Sequence, residues 1–458
     1  MESTYGVMCL LPVATILVIA IATKRTLFAM ICGTIVASLI LAGDITNFMA
    51  TITNNLYAGM SNPSAQWIMM IVAMFGILIV LYERSGAIAD FALWARKFVK
   101  TEKQVLFGTI VMGILVFVDD YLNNLAVSTT MKGLTDDLRI PRTKLAYIVN
   151  TVAAPVCLLI PVSSWAAYYT GLLAEQNVLV DGSSTNAYLS ALPLSFYPWI
   201  MLILAVLVVL GVVPDLGLIK KDALRAKETG NVFPDGIVPT SAEHESGDDF
   251  LKNAKVQPIP FVLPLAVMIV ISLWQDVLMG VIAGTVLLCA ITLITRRMKF
   301  FELLTTCFDG VMSMGFVFLL TILAFTVSGM NLELQLAEFV ISVTLPVMKG
   351  AFLPVVVFLV CAAYSYATGC FWDLAVIVVP IVIPLANAMG VDPILAAAAI
   401  FSGTAFGSNT CLYGDGVIIC SQGAEIKPLH LMLATLPYAL IAAGISCIGF
   451  LIAGFMMH

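Results

Sequence analysis

Long apolar stretches recur from one end of this chain to the other, and they constrain its fold more than any other feature. Uncharged stretches of about 18 residues or more are long enough to cross a bilayer as α-helices. The chain is 61% hydrophobic and only 11% charged, whereas a soluble domain is roughly 45–50% apolar and about 25% charged. The sequence therefore predicts an all-α integral membrane protein. A net charge of −6 without a basic patch argues against nucleic-acid binding.

Residues for metal-dependent or nucleophilic chemistry are scarce. The ten cysteines form no C-x-x-C pair, and the chain has only three histidines. We therefore expect the cysteines to act as small apolar residues. Because the ligand sets and Ser–His pairs of membrane enzymes are missing, we expect neither an enzyme nor a bound cofactor.

The apolar stretches predict about ten spans in two halves. A polar stretch at residues 214–257 separates a first half, residues 1–213, from a second half, residues 258–458, and we interpret it as a cytoplasmic linker. The predicted spans of the first half are Tyr5–Thr23, Leu27–Gly43, Ala65–Tyr82, Lys144–Leu173 and Phe196–Val213. Those of the second half are Pro258–Trp274, Val277–Thr295, Gly310–Ser328, Pro393–Ala424 and Leu429–Met457.

Two further apolar segments are too short for a simple crossing. Gln104–Val118 has 15 residues, which is about 22 Å as a helix against a hydrocarbon core of about 30 Å. Ala351–Tyr366 has 16 residues. Each leads into a polar segment, residues 119–124 or 367–373. We interpret both as re-entrant hairpins with broken helices, because irregular backbone inside a bilayer must be buried in protein or line a wet cavity.

The distribution of Lys and Arg agrees with this topology. Cytoplasmic loops collect basic residues, and a hairpin at Gln104–Lys132 places nearly all the basic loops on one side. The loops at Asp44–Ser64 and Glu175–Ser195 hold no basic residue, and only Lys349 falls on their side. The pattern predicts a multi-pass protein of the cell inner (plasma) membrane with both termini outside the cytoplasm.

The two halves also resemble each other in sequence. Ile-Cys-Gly-Thr-Ile at residues 31–35 recurs as Ile-Ala-Gly-Thr-Val at 282–286, and Asn-Leu-Ala-Val at 124–127 recurs as Asp-Leu-Ala-Val at 373–376. Since the first half begins outside and the second inside, the sequence predicts two inverted-topology repeats. Inverted repeats with broken helices are typical of secondary transporters, whose binding site lies near the midplane.

The tip of the first hairpin supplies the first candidate site, an ion- and proton-binding site at Asp119, Asp120, Asn123 and Asn124. An intramembrane carboxylate indicates a functional site, and carboxylate and amide oxygens suit Na⁺, for which we name Asp120 and Asn124. The alternative is that these acids lie in a solvated loop.

The segment from Pro155 to Trp165 is the second candidate. Two prolines break the helix there, and Ser163 and Ser164 offer hydroxyls beside the exposed backbone, so we add them to the ion site. The alternative is an ordinary proline kink whose serines bond to their own helix.

The second half supplies candidates for a substrate or a second ion. They lie at the tip of the second hairpin and in a glycine-rich interruption at Gly407–Gly416. The alternative for the interruption is a turn outside the membrane. The candidate residues are Thr368, Trp372, Asp373, Ser408, Asn409, Thr410 and Asp415.

At these residues the chain resembles the NhaC-type Na⁺/H⁺ antiporter family of the ion-transporter superfamily. The similarity runs over nearly the whole chain and is densest at residues 118–136, 144–149 and 153–165. The resemblance implies an elevator-type secondary transporter that exchanges Na⁺ for H⁺, assembled as a homodimer. The chain departs from the family pattern at Asn150, where Asp is common, at Asp373, and at residues 410–415.

The family also includes members that exchange small organic anions such as malate and lactate. The alternative function is therefore Na⁺- or H⁺-coupled transport of a small organic anion or amino acid. Asn409, Thr410, Trp372 and Asp415 would then contact the substrate.

The predicted topology can be tested by cysteine labelling. We expect single cysteines placed in Lys132–Lys144 and in residues 214–256 to react with an impermeant maleimide only from the cytoplasm. Cysteines in Glu175–Ser195 should react from outside and serve as the control. Labelling of Lys132–Lys144 from outside would contradict the first hairpin.

Overall fold

The computed structural model describes residues 5–23, 25–96, 101–234, 257–369 and 372–457, and most of this part of the chain is helical. The first half contains α1 (Leu11–Thr23), α2 (Thr26–Ala42), α3 (Ile45–Ser61), α4 (Pro63–Arg84), α5 (Ala87–Arg96), α6 (Glu102–Leu115), α7 (Asp120–Asp137), α8 (Arg142–Leu159), α9 (Ser164–Glu175), α10 (Ser184–Ala191) and α11 (Phe196–Leu210). The remainder contains α12 (Gly217–Thr229), α13 (Ile259–Trp274), α14 (Val277–Ile294), α15 (Phe300–Ser313), α16 (Gly315–Glu333), α17 (Leu336–Thr344), α18 (Leu353–Thr368), α19 (Trp372–Ala388), α20 (Pro393–Thr410), α21 (Asp415–Gly423) and α22 (Pro428–Met456).

The fold class predicted from the sequence is confirmed. Within the described ranges, seven helical segments are long and apolar enough to cross a membrane, and the number rises to nine if each of two bent helix pairs is one span. The bent pairs are α8 with α9, at 42°, and α10 with α11, at 49°. The predicted spans all fall on these helices or on the shorter apolar helices α2 and α13.

Two predicted irregular segments are more helical than expected. Helix α7 begins at Asp120, so Asn123 and Asn124 are helical, because the Asp119 side chain caps the backbone N–H groups of the first turn. Helix α20 continues to Thr410, so the break between α20 and α21 is confined to residues 411–414. The glycines of α20 promote close helix packing there and do not unwind the helix.

The proline break also lies later than predicted. Pro155 is inside α8, which ends at Leu159, because a buried membrane helix tolerates a proline when its neighbours satisfy the freed backbone groups. The chain leaves the helix around Pro161, and Ser163 caps the start of α9 by accepting a hydrogen bond from the Ala166 N–H at 3.1 Å.

The helices of the two halves pack in matching pairs. Helix α1 packs on α2 as α13 packs on α14, and α2 and α3 pack on α16 as α14 and α15 pack on α4. Likewise α6 and α7 pack on α8 as α18 and α19 pack on α20, and α11 packs on α8 as α22 packs on α20. This correspondence agrees with the predicted repeat, whose boundaries at 1–213, 214–257 and 258–458 stay a prediction.

Glycines allow α18 and α20 to approach closely. A Cβ added at Gly407 would lie 2.2 Å from the Ser365 Cβ, and one added at Gly403 would lie 2.4 Å from the Cys361 Cβ. The Ser365 hydroxyl donates to the Gly403 carbonyl at 2.9 Å. This packing brings the second hairpin against the break between α20 and α21, where Gly369, at φ +73°, adjoins Gly414.

A matched pair of glycine substitutions tests this packing. Gly407→Ala should lower the melting temperature in detergent, since forcing a methyl group into a packed core costs about 1–3 kcal/mol. Gly444→Ala is the control, because Gly444 is helical and has open space around it, so the same change should leave stability equal or slightly higher. Equal melting temperatures for the two variants would contradict the close contact.

Candidate ion-binding site

The first turn of α7 meets the first turn of α9, and Asp119 joins them. Its Oδ1 accepts from the backbone N–H groups of Tyr121, at 2.9 Å, and Leu122, at 3.4 Å. Its Oδ2 accepts from the Ser164 hydroxyl at 2.9 Å. Both oxygens of this buried carboxylate are therefore engaged in holding the two helix starts together.

Asp120 is fully buried, and within the described ranges only one of its oxygens has a hydrogen-bond partner. The Trp165 Nε1–H donates to Oδ1 at 2.9 Å. Oδ2 has no hydrogen-bond donor among the described residues. A buried acceptor without a donor is costly, and a buried charge without a counter-charge is more so. This oxygen is therefore the position in the site that a proton or a cation would satisfy.

Two asparagines on the same face of α7 add further unpaired oxygens. Residues three and four apart on a helix are neighbours, which places Asn123 and Asn124 beside Asp120. Asn123 Nδ2 donates to the carbonyls of Gly113, at 2.6 Å, and Val116, at 3.1 Å, across the α6–α7 break. The Oδ1 atoms of both asparagines lack a donor in the part of the chain that the structure describes.

Ser163 and Ser164, which the sequence predicts as ion ligands, are hydrogen-bonded at the helix breaks. Ser163 caps α9 and donates to the Cys157 carbonyl, and the Ser164 N–H donates to the Val118 carbonyl at 3.0 Å. Both serines therefore satisfy backbone groups at the breaks, and Ser164 reaches the site through Asp119.

The candidate residues of the second half divide into two groups. Ser408 lies close to the first-half site, since a Cβ added at Gly416 would be 3.4 Å from both Ser408 Oγ and Asn124 Nδ2. Asp415, at the exposed start of α21, accepts from the Tyr121 hydroxyl at 3.0 Å. By contrast, Thr368 and Thr410 donate to carbonyls of their own helices. The side chains of Trp372 and Asp373 lie outside the described residues.

Asn409 belongs to a joint between the two halves. Its Nδ2 donates to the Asn150 carbonyl at 2.6 Å, while Asn150 Nδ2 donates to the Asn409 carbonyl at 2.8 Å. The Tyr197 hydroxyl donates to Asn409 Oδ1 at 3.3 Å. The amide of Asn409 is thus used in joining α8 to α20. An amide at position 150 suits this joint, because a carboxylate could not donate to a carbonyl.

An ion-pair network holds the opposite end of α7. Lys132 and Arg142 both contact Glu425, and Arg142 also contacts Asp136. Burial alone would raise the pKa of Glu425, but hydrogen bonds from the two cations outweigh it, so its pKa lies below the ordinary value. The stability that this network contributes is present above the ordinary glutamate pKa and is lost as the pH falls through the lowered value.

Comparison with known proteins places the chain in a family. The model of the Na⁺/H⁺ antiporter family matches residues 156–455. The chain belongs to this family. It is therefore an ion-coupled secondary transporter and a multi-pass membrane protein, as the sequence predicts. Family and fold are those of transporters and not those of enzymes.

Relatives at the level of sequence and fold agree with this placement. An uncharacterized protein of Haemophilus influenzae is 25% identical over an alignment 489 residues long, which covers 98% of this chain and 91% of that protein. MtrF of Neisseria gonorrhoeae, described as illuminating a class of antimetabolite efflux pumps, has a TM-score of 0.61 at 14% identity, covering 92% of this chain and 86% of its own. The YdaH transporter of Alcanivorax borkumensis has a TM-score of 0.59 at 15% identity, covering 90% and 89%. At these identities the two structures show a shared fold.

Reading the sequence missed two residues that shape the site. Trp165 follows Ser164 in the predicted break, and a polar indole N–H beside a buried acid pair is a signal that could have identified it. Tyr121 lies between the acids and the asparagines, but its contact with Asp415 joins positions 294 residues apart. No local pattern predicts such a contact.

The capping role of Asp119 can be tested against a second helix cap. Asp119→Ala removes an N-cap, which costs about 0.5–2 kcal/mol, and it also leaves the buried Ser164 hydroxyl without its acceptor. Asp44→Ala is the control, because Asp44 caps α3 by accepting from the Asn47 N–H but is exposed, so water can replace it. Thermal unfolding should show the larger loss for Asp119→Ala, and equal losses would contradict the role described.

Proposed function

We propose that the protein exchanges Na⁺ for H⁺ and that both ions compete for Oδ2 of Asp120. The observation that carries this proposal is a fully buried carboxylate with one oxygen bonded to Trp165 and the other without a donor from any residue that the structure describes. Oδ2 accommodates either a proton or a cation, because both neutralise the same buried charge. Exclusive occupancy by one or the other is the condition for antiport.

The neighbouring amides favour Na⁺ as the cation. Hard cations prefer oxygen ligands, and the Oδ1 atoms of Asn123 and Asn124 lie on the same helix face as Asp120. When Asp120 is protonated, the carboxylate charge is gone, and the site loses its attraction for Na⁺. Proton binding therefore releases the cation, and loss of the proton restores the site.

The other carboxylate positions the site. One oxygen of Asp119 accepts hydrogen bonds from α7 and the other accepts one from α9. Asp119 therefore fixes the distance between Asp120 and Trp165 and does not itself exchange ions. We assign the same positioning role to Ser163 and Ser164.

We place this exchange in an elevator-type transporter of two inverted repeats. The repeats span residues 1–213 and 258–458, and residues 214–257 form the cytoplasmic linker. The matched packing of the two halves supports this arrangement. The protein then lies in the inner (plasma) membrane with both termini outside the cytoplasm, and it forms a homodimer. Na⁺ and H⁺ are its transported ions, with no bound cofactor.

A coupled organic solute is the second candidate function. The contact between the Tyr121 hydroxyl and the exposed Asp415 favours it, because it places a polar pair from both halves where a small solute has access. The solute would be an organic anion or an amino acid. Asn409 and Thr410 are less suited to bind it, since their side chains are already hydrogen-bonded within the protein.

Substitution of Asp120 tests the exchange. Asp120→Asn keeps an oxygen that can accept from Trp165 but can neither lose a proton nor carry a charge. In proteoliposomes containing a pH-sensitive dye, we expect Na⁺-driven proton movement to fall at least about 100-fold, which corresponds to about 2.7 kcal/mol. The variant should remain folded.

Asp44→Asn serves as the control for a lost carboxylate, because Asp44 is exposed and remote from the site in sequence. It should retain wild-type transport. Wild-type exchange by Asp120→Asn would overturn the assignment. A wild-type protein that moves protons only when an organic anion or amino acid is added would favour the second candidate.

A further inference from the structure

We propose a second Na⁺-sized cation site at the far end of α9, formed by the Glu175 carboxylate, the Ser328 hydroxyl and the two backbone carbonyls that Pro380 and Pro384 free in α19. This site goes beyond the proposed exchange at Asp120. It draws on residues of both halves that the sequence does not single out as ligands.

A small cavity lies where α9, α16 and α19 meet. Its volume is about 10 Å³, and Glu175, Gln176, Ser328, Val376 and Pro380 are among the residues that line it. A cavity of about 10–15 Å³ holds one water molecule. The same space accommodates one dehydrated ion of similar size, but not an organic solute.

Ser328 is the first sign that this cavity has an occupant. Its side chain is 4% exposed, and its Oγ has no hydrogen-bond partner within the described ranges. In membrane helices a serine hydroxyl ordinarily bonds to its own helix or to a neighbour. A buried hydroxyl that does neither is costly, and coordination of a cation would satisfy its lone pairs.

Two prolines in α19 supply backbone oxygens at the same place. Pro380 has no N–H, so the Val376 carbonyl lacks its helical donor. Pro384 has no N–H either, so the Pro380 carbonyl also lacks its helical donor. Val376 and Pro380 both line the cavity. A backbone carbonyl that lacks its helical donor can offer its oxygen to a cation, and hard cations bind oxygen ligands.

Glu175 supplies the charge. Asn62 Nδ2 donates to both of its oxygens, at 3.1 and 2.9 Å, and a carboxylate has about four lone-pair positions, so both oxygens can still bind a cation. A single carboxylate matches one positive charge. The site therefore suits a monovalent cation, in keeping with the lack of any described cluster of three acidic, histidine or cysteine ligands.

The position of the site suggests its use. Helix α9 begins at Ser164, beside Asp119, and ends at Glu175, about 16 Å away at 1.5 Å per residue. The loop after Glu175 is external in the predicted topology. A cation bound there lies between the external solution and Asp120. Binding at this position raises the local Na⁺ concentration near the exchange site.

The test measures bound ²²Na⁺ on the purified full-length protein in detergent. Ser328→Ala and Glu175→Gln should each lower the bound ²²Na⁺ to about half of the wild-type amount, Asp120→Asn should do the same, and Ser328→Ala combined with Asp120→Asn should abolish binding. Ser342→Ala and Glu333→Gln are the matched controls, since both residues are exposed, and they should bind like the wild type.

Thermal unfolding gives a second measurement that does not depend on Glu175→Gln folding well. Without Na⁺, Ser328→Ala should unfold at the wild-type temperature or above it, because the unpaired hydroxyl is gone. With saturating Na⁺, the wild type should gain more stability than the variant, since a ligand stabilises the state that binds it. An equal gain in both proteins would overturn the second site.

The outcomes also separate this proposal from the exchange at Asp120. If Ser328→Ala binds as much ²²Na⁺ as the wild type while Asp120→Asn binds none, the second site is wrong and the exchange site stands. If Ser328→Ala abolishes binding while Asp120→Asn binds normally, the second site stands and the exchange site is wrong. A cavity that holds only water gives the first of these results.

Discussion

Lipid offers a polypeptide neither hydrogen-bond donors nor acceptors, and the functional part of this transporter consists of helices that are broken inside such a solvent. The breaks persist because side chains of the protein replace the missing partners. Asp119 caps α7, Ser163 caps α9, and Asn123 bonds two carbonyls at the end of α6. The site therefore depends on helix capping, because the side chains that satisfy the backbone groups at the breaks also position Asp120 in the buried interior.

This arrangement explains why two adjacent aspartates differ in their hydrogen bonding. Asp119 precedes the helix, so its carboxylate folds back onto the N–H groups of the first turn and receives the Ser164 hydroxyl as well. Asp120 is the first helical residue, and its side chain points away from those donors towards Trp165. One residue of displacement along the chain thus decides which carboxylate has donors for both oxygens and which has a donor for only one among the described residues.

The described helices of the second half support the site through packing. The Asn150–Asn409 pair joins α8 to α20 through two reciprocal hydrogen bonds, and the glycines of α20 let α18 pack against it. The departures from the family pattern at residues 150 and 410–415 fall in this region. At position 150 the departure is a neutral amide, which donates to the Asn409 carbonyl as a carboxylate could not.

The sequence by itself determined the membrane class, the approximate spans and the two helix pairs interrupted by polar residues, and it predicted Asp119 and Asp120 as site residues. Apolar length and intramembrane charge are local properties, so they can be read from consecutive residues. The sequence did not determine where each break begins, because the extent of α7 and α20 depends on capping and on glycine packing against other helices. Only the tertiary structure decided which oxygens of the described residues are left without donors, and which distant residues come together. Tyr121 contacts Asp415, and Glu175 and Ser328 line one cavity. These contacts depend on how α7, α9, α16, α19 and α21 pack, and packing between segments hundreds of residues apart leaves no signal in local sequence.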